Sequence, residues 1–162
     1  MTCFLYDTNG QEQYDALSDI YYRDADGCLL VYDITNKESF DSIKNTYIPK
    51  INEKCKQNMQ IVLIGNKLDL DYDRKVTYDE GSKLALDNNF HFKETSCVDN
   101  INVNKVFQTI IEMSKFERKN EKDTIIKRQS IKIKKSKTDN GHKSTKKKKM
   151  MKAKYINWQM DL

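Results

Sequence analysis

Glycine, proline, histidine and paired cysteine are all scarce in this chain of 162 residues. None of the five glycines (10, 27, 65, 81 and 141) opens a G-x-x-x-x-G-K-[S/T] phosphate cradle. The nearest imitation, Gly141-His142-Lys143-Ser144, lies in a basic stretch with no strand before it. The four cysteines (Cys3, Cys28, Cys55, Cys97) form no C-x-x-C, which excludes a zinc knuckle and a redox dithiol. The two histidines, His91 and His142, stand far apart and argue against a metal site. No stretch approaches 18 consecutive apolar residues, so no membrane-spanning helix is predicted. The start, MTCFLYDTNG, lacks the basic region and apolar core of a secretory signal. A reduced, cytoplasmic setting is expected.

What is present divides into two unlike parts. Hydrophobic residues make up 38% and charged residues 33%, too polar for a fully globular chain of this length and too apolar in places for a disordered one. Residues 1–114 hold 12 Lys+Arg against 19 Asp+Glu, a net of −7. Residues 115–154 hold 17 against 4, a net of +13, and include the block Lys146 to Lys149. The expected organisation is therefore an acidic domain over 1–118 and a basic, disordered tail over 119–162, with helix continuing into the start of the tail.

Within the acidic part, 28–34 (CLLVYDI) and 61–65 (IVLIG) are nearly continuous apolar runs, the pattern of parallel strands buried on both faces. Between them, Phe40, Ile43, Tyr47, Ile48 and Ile51 recur at helical spacing over 37–57, with Pro49 predicting a kink or break. Residues 78–88 read as a helix with Tyr78, Leu84, Ala85 and Leu86 on its apolar side. Residues 90–94 alternate as a strand with His91 outward, and 103–116 form an amphipathic helix. Alternating strands and helices predict an α/β, doubly wound layout, whose ligands sit beyond the carboxyl ends of the strands.

Polar clusters follow three of those strand ends. Asn66-Lys67-Leu68-Asp69 follows IVLIG. A fixed Asp69 carboxylate can accept two N–H bonds from the amidine edge of guanine, which adenine does not present. The Asn66 amide can reach the other edge of the base, and the Lys67 stem can lie along its face. Glu94-Thr95-Ser96-Cys97 follows HFK, and its Ser-small turn can aim a backbone N–H at the guanine carbonyl. Asp7-Thr8-Asn9-Gly10-Gln11-Glu12 follows FLY. There Asp7 can hold a magnesium water, the Gly10 N–H can reach a terminal phosphate, and the Gln11 amide can orient an attacking water.

DTNGQEQY, NKLD and ETSC resemble the DTAGQE, NKxD and ETSA boxes of Ras-like small GTPases. Tyr21-Tyr22-Arg23, GCLLVYDIT and Lys37-Glu38-Ser39-Phe40 look most like the Rab branch, and the resemblance covers about residues 3–118 in register. It implies a partial G domain: a P-loop NTPase-like three-layer sandwich with a mostly parallel sheet, lacking its first strands. It also implies a regulator of vesicle trafficking that binds GTP or GDP with Mg2+. Carried over by position, Asn66, Lys67 and Asp69 would bind the base, with Ser96 and the Cys97 backbone in support. Asp7, Gly10 and Gln11 would open the second switch, Gln11 being the catalytic residue and Asp7 the magnesium residue. Residues 13–24 would meet effectors and exchange factors.

The departures shape the expectations. The phosphate cradle and the magnesium-ligating threonine of the first switch have no counterpart here. Asn9 stands for the family alanine, and Val98 for a frequent lysine. Hydrolysis by this chain is therefore expected to be slight. With the first strand absent from the sequence, strand 28–34 is expected to be an open edge, unless residues 3–6 slide across to pair with it. No cysteine follows Cys97, so no prenyl anchor is expected at this C-terminus. The basic tail would hold anionic membrane at about 1 kcal/mol per Lys or Arg near the surface, placing the protein peripherally on endomembranes. Nucleic acid is the less favoured tail partner. A second reading is a non-catalytic interaction or scaffold protein that uses the 13–24 helix and a lipid- or RNA-binding tail.

Overall fold

The computed structural model describes residues 3–5, 25–56, 58–135 and 151–156. Five parallel strands form one sheet. They are β1 (Cys3–Phe4), β2 (Gly27–Asp33), β3 (Gln60–Asn66), β4 (His91–Glu94) and β5 (Met151–Ile156), in the order β1-β5-β2-β3-β4. The helices are α1 (Lys37–Ser42), α2 (Ile48–Lys54), α3 (Tyr78–Asp87) and α4 (Val103–Lys135). The α/β class and the parallel sheet agree with the sequence reading.

The two apolar runs became the buried middle strands because both their faces are covered. Leu29, Val62 and Ile64 pack under Val106 and Ile110 of α4. On the opposite face, Cys28, Leu30, Tyr32 and Leu63 pack with Phe40, Ile43, Tyr47, Ile48 and Ile51, and with Ala85 of α3. Fully burying one such aliphatic or aromatic side chain stabilises by about 1.5–3 kcal/mol, so these two layers define the fold.

The helical stretch after β2 does not break at Pro49. A π-helical turn, Ile43–Tyr47, joins α1 to α2, and Pro49 falls in the first turn of α2. There its missing N–H costs little, and the widened turn relieves the clash that proline makes with the preceding carbonyl. In α3, Gly81 and Ala85 lie buried one turn apart, whereas Leu86 is 76% exposed and Tyr78 is 56% exposed. The apolar side of α3 is thus narrower than its composition suggested, because a residue next to Ala85 is rotated about 100° off that line. His91 is exposed, as its alternation predicted.

The edge of β2 also differs from expectation. Neither an open edge nor a displaced β1 occurs. Instead β5 lies between them, paired to β2 from Gly27↔Ala153 to Leu30↔Ile156 and to β1 through Cys3↔Met151 and Phe4↔Lys152. An edge of unpaired N–H and C=O groups needs a partner strand, and here a segment of the basic tail provides it. The helix expected over 103–116, with its continuation into the start of the tail, runs on to Lys135, so residue 118 falls within α4. Arg118 pairs with Asp26, and the Ser114 hydroxyl donates to the Asp26 carbonyl at 3.2 Å, tying α4 to the approach to β2.

Helix α3 starts with a reciprocal cap. The Thr77 hydroxyl accepts from Glu80 N–H at 3.2 Å, while Glu80 accepts from Thr77 N–H at 2.8 Å. Lys37 Nζ reaches Glu80 Oε1 at 2.6 Å. That ammonium, then the bonds from Thr77, lower the Glu80 carboxyl from 4.5 to about 2. A lowered folded-state value means that the cap's contribution is complete above about pH 4.5 and is lost as the pH falls towards 2. Amide exchange in the first turn of α3 should therefore accelerate over that interval, and Glu80→Gln should remove the acid-dependent component.

Tyr32 Oη is buried and has no hydrogen-bond partner among the described residues. Burial, then the nearby Glu94, push the phenol far above its usual range, so it stays neutral. Gly65 and Gly81 flank it, and a Cβ at Gly65 would come within 2.9 Å of the hydroxyl. Removing an unpaired buried hydroxyl relieves a desolvation penalty of about 1–3 kcal/mol. Tyr32→Phe should accordingly unfold at an equal or higher temperature than the native chain. A loss above about 1 kcal/mol would reveal a partner for that oxygen.

Candidate functional site

Register brings the site together. β2 and β3 pair through to Asp33↔Asn66, and β3 and β4 pair through to Gly65↔Glu94, so the three strands end at one level. Residues 66–69 and 95–97 therefore leave the sheet side by side. Thr95 N–H donates to the Gly65 carbonyl at 2.9 Å, and Leu68 N–H to the Thr95 carbonyl at 3.0 Å, which locks the two exits together. Lys67 adopts the left-handed conformation, with φ 68°, and turns the chain from β3 into a 3-10 segment, Leu68–Asp73.

The polar side chains form one network on this frame. The Ser96 hydroxyl donates to Asp69 Oδ1 at 2.6 Å and accepts from Asp99 N–H at 3.0 Å. Asp69 Oδ2 is left with no partner among the described residues. The Thr95 hydroxyl donates to Asn66 Oδ1 at 3.0 Å, and the Cys97 thiol approaches the same oxygen at 3.5 Å. The Asn66 amide nitrogen is thereby left to donate elsewhere. Asn66, Thr95 and Ser96 are buried, whereas Cys97 is exposed. The result is a rigid rim carrying one free carboxylate oxygen and one free amide donor, held by groups behind them.

Lys67 reaches sideways from this rim, its Nζ 2.7 Å from Asp33 Oδ2. Asp33 Oδ1 accepts from both the N–H and the hydroxyl of Thr35, at 2.7 and 2.8 Å. Burial pushes the Asp33 carboxyl up, yet the bonds from Lys67 and Thr35 outweigh it and hold the group below the usual carboxylate range.

The structure thus brings Asn66, Lys67, Asp69, Ser96 and Cys97 to one rim. Asp7, Gly10, Gln11 and the stretch 13–24 lie outside the described residues. Among the described residues, no group of three or more His, Cys, Asp or Glu side chains is placed to hold a metal. Sequence reasoning gave no role to Thr95 or Asp33. Each is a polar residue at the end of a strand in register with β3, and that position was the available signal.

The Ras family model matches residues 1–116 of this sequence. The chain belongs to the Ras family. It is 44% identical over 109 residues to Ras-related protein Rab-3 of Caenorhabditis elegans, covering 67% of this chain and 49% of that protein. It is 44% identical over 106 residues to Ras-related protein Rab-8A of Bos taurus, covering 65% and 51%. Against GTP-binding protein ypt3 of Schizosaccharomyces pombe the identity is 43% over 107 residues, covering 66% and 50%. These relatives place the chain on the Rab branch of the family, and the chain spans about half their length.

In this Ras-family chain the rim is braced from below by one cation. Arg74 binds Glu94 in a fork, Nη1 to Oε1 at 2.6 Å and Nη2 to Oε2 at 3.0 Å. Its Nε meets Asp71 Oδ1 at 2.7 Å, and Nη1 also donates to the Val76 carbonyl at 3.0 Å. The pairing with Glu94 raises the guanidinium further above its ordinary value. Glu94 is 8% exposed, so removing its partner would leave a buried charge uncompensated. Arg74→Met should cost about 3–5 kcal/mol in denaturant unfolding. Joint replacement with Glu94→Leu should recover much of that loss.

Proposed function

We propose that this chain is a Rab-like guanine-nucleotide-binding regulator of vesicle trafficking that grips the base of GTP or GDP with the rim of Asn66, Asp69 and Ser96. The observation that carries the reading is the Asp69 carboxylate, fixed by Ser96 at 2.6 Å with its second oxygen unengaged by any described residue. That oxygen matches the N–H donors on the amidine edge of guanine. Adenine would leave the carboxylate facing no donor, a penalty that favours guanine strongly. The free Asn66 amide suits an acceptor on the far edge of the base. The match to Rab-named relatives supports the same ligand.

The phosphate side rests on the resemblance. Asp7 would hold magnesium through a water, and that ion would neutralise charge on the phosphate oxygens. The Gly10 N–H would reach the terminal phosphate, and Gln11 would orient the attacking water. No G-x-x-x-x-G-K-[S/T] occurs in these 162 residues, so the contacts assigned to them here lie on the base and at Asp7, Gly10 and Gln11. Effectors and exchange factors would read residues 13–24, and the basic stretch after 118 would add attraction to anionic membrane.

Cys97 supplies a native reporter, because it is an exposed thiol on the rim whereas Cys28 is buried. GDP should slow alkylation of Cys97, followed residue by residue by mass spectrometry, and ADP should not. The midpoint should lie above about 1 µM, and Asp69→Ala should abolish the protection. Equal rates with GDP, ADP and no nucleotide would refute guanine binding at this rim.

A further inference from the structure

Lys67 is a long, flexible cation in a strained backbone position, yet it does not wander. Its stem leaves the left-handed turn at the end of β3, and its ammonium is captured 2.7 Å away by Asp33, the last residue of β2. Asp33 cannot rotate away, because its other oxygen is bound twice by Thr35. Its own backbone is pinned too: Asp33 N–H donates to the Ser39 hydroxyl at 3.0 Å, within the first turn of α1. The carboxylate is thus anchored to β2 and to the segment leading into α1. Side-chain exposure is 12% for Asp33 and 31% for Lys67, so the pair is partly shielded from competing water.

We propose that Asp33 is a positioning residue for the guanine site, acting through Lys67 alone. The pairing lays the lysine stem flat beside the Asn66–Asp69 rim before any nucleotide arrives, which makes it a ready platform for one face of the base. A lysine that must be ordered during binding takes its rotamer entropy out of the affinity; a lysine ordered beforehand does not. The pair also matches a positive charge with a negative one, so the platform faces the base as hydrocarbon and not as an unpaired cation. This inference rests on the base-binding reading above.

The test is a four-member cycle on the full chain: native, Asp33→Asn, Lys67→Met and the double variant. Affinity for GDP is read by protection of Cys97, and stability by thermal unfolding of the same samples. Asp33→Asn keeps an acceptor for Thr35 and replaces the charged oxygen that holds the ammonium with an amide NH2, which cannot accept from it. It should weaken GDP binding about two- to tenfold, the loss expected from ordering one long side chain. Lys67→Met should weaken binding at least as much. Adding Asp33→Asn to Lys67→Met should cost nothing further, because the residue through which Asp33 acts is gone.

Equal losses from Asp33→Asn in both backgrounds would overturn the proposal, as would undiminished affinity in the single variant. Loss of affinity that tracks loss of stability in both backgrounds would also overturn it, assigning Asp33 to the fold. If GDP fails to protect Cys97 even in the native chain, the base-binding reading itself falls and this inference falls with it. That result is distinct from the others because it shows in the unsubstituted protein.

Discussion

Everything at the carboxyl edge of the sheet depends on the in-register parallel pairing of β2 with β3. Seven residues of each strand are matched one to one, from Gly27↔Gln60 to Asp33↔Asn66. A side-chain period of two makes that register unforgiving, because a slip of one residue would turn Leu30, Leu63 and their neighbours out of one layer and into the other. The buried faces therefore fix the register, and the register fixes where the polar residues emerge. Asp33 and Asn66 are neighbours because the apolar residues before them are packed on both sides, and Thr95 joins them through its N–H bond to the Gly65 carbonyl.

The polar network then works as a second layer of organisation. Asp69 and Asn66 each have one side engaged by the protein and one side left open among the described residues. Ser96 is fully buried and serves Asp69 from behind; Thr95 does the same for Asn66. Arg74 acts a level lower, gathering Glu94, Asp71 and the Val76 carbonyl about one guanidinium. A planar donor with five N–H groups can satisfy three acceptors in fixed directions, which a lysine could not. The loop after β3 and the exit from β4 are thus clamped together on both sides of the rim.

Much of this was legible in the residues. The continuous apolar runs announced strands covered on both faces, and the polar boxes at 66–69 and 94–97 fell where a parallel sheet presents its ligand edge. The parts that were not legible share a cause: they depend on which distant backbone groups meet. Helical periodicity shows that Ile43, Tyr47 and Ile51 share a face, but not that a π turn will widen the helix ahead of Pro49. Asp33 reads as a strand-ending polar residue until the register sets it beside Lys67. Composition made Leu86 look like part of an apolar stripe, but its place about 100° around α3 from buried Ala85 leaves it in water. The strand Met151–Ile156 was hidden within a lysine-rich stretch, because the demand for a partner came from the edge of β2 and not from the segment itself.

That last strand has a consequence for the order of assembly. Among the described residues β1 pairs with β5 and β5 with β2, so Cys3–Phe4 meets the middle of the sheet across a strand that comes far later in the sequence. During translation β2, β3 and β4 can pair, and α4 can dock, before Met151–Ile156 has been made. The strand order β1-β5-β2 is complete only once the ribosome has released Met151–Ile156.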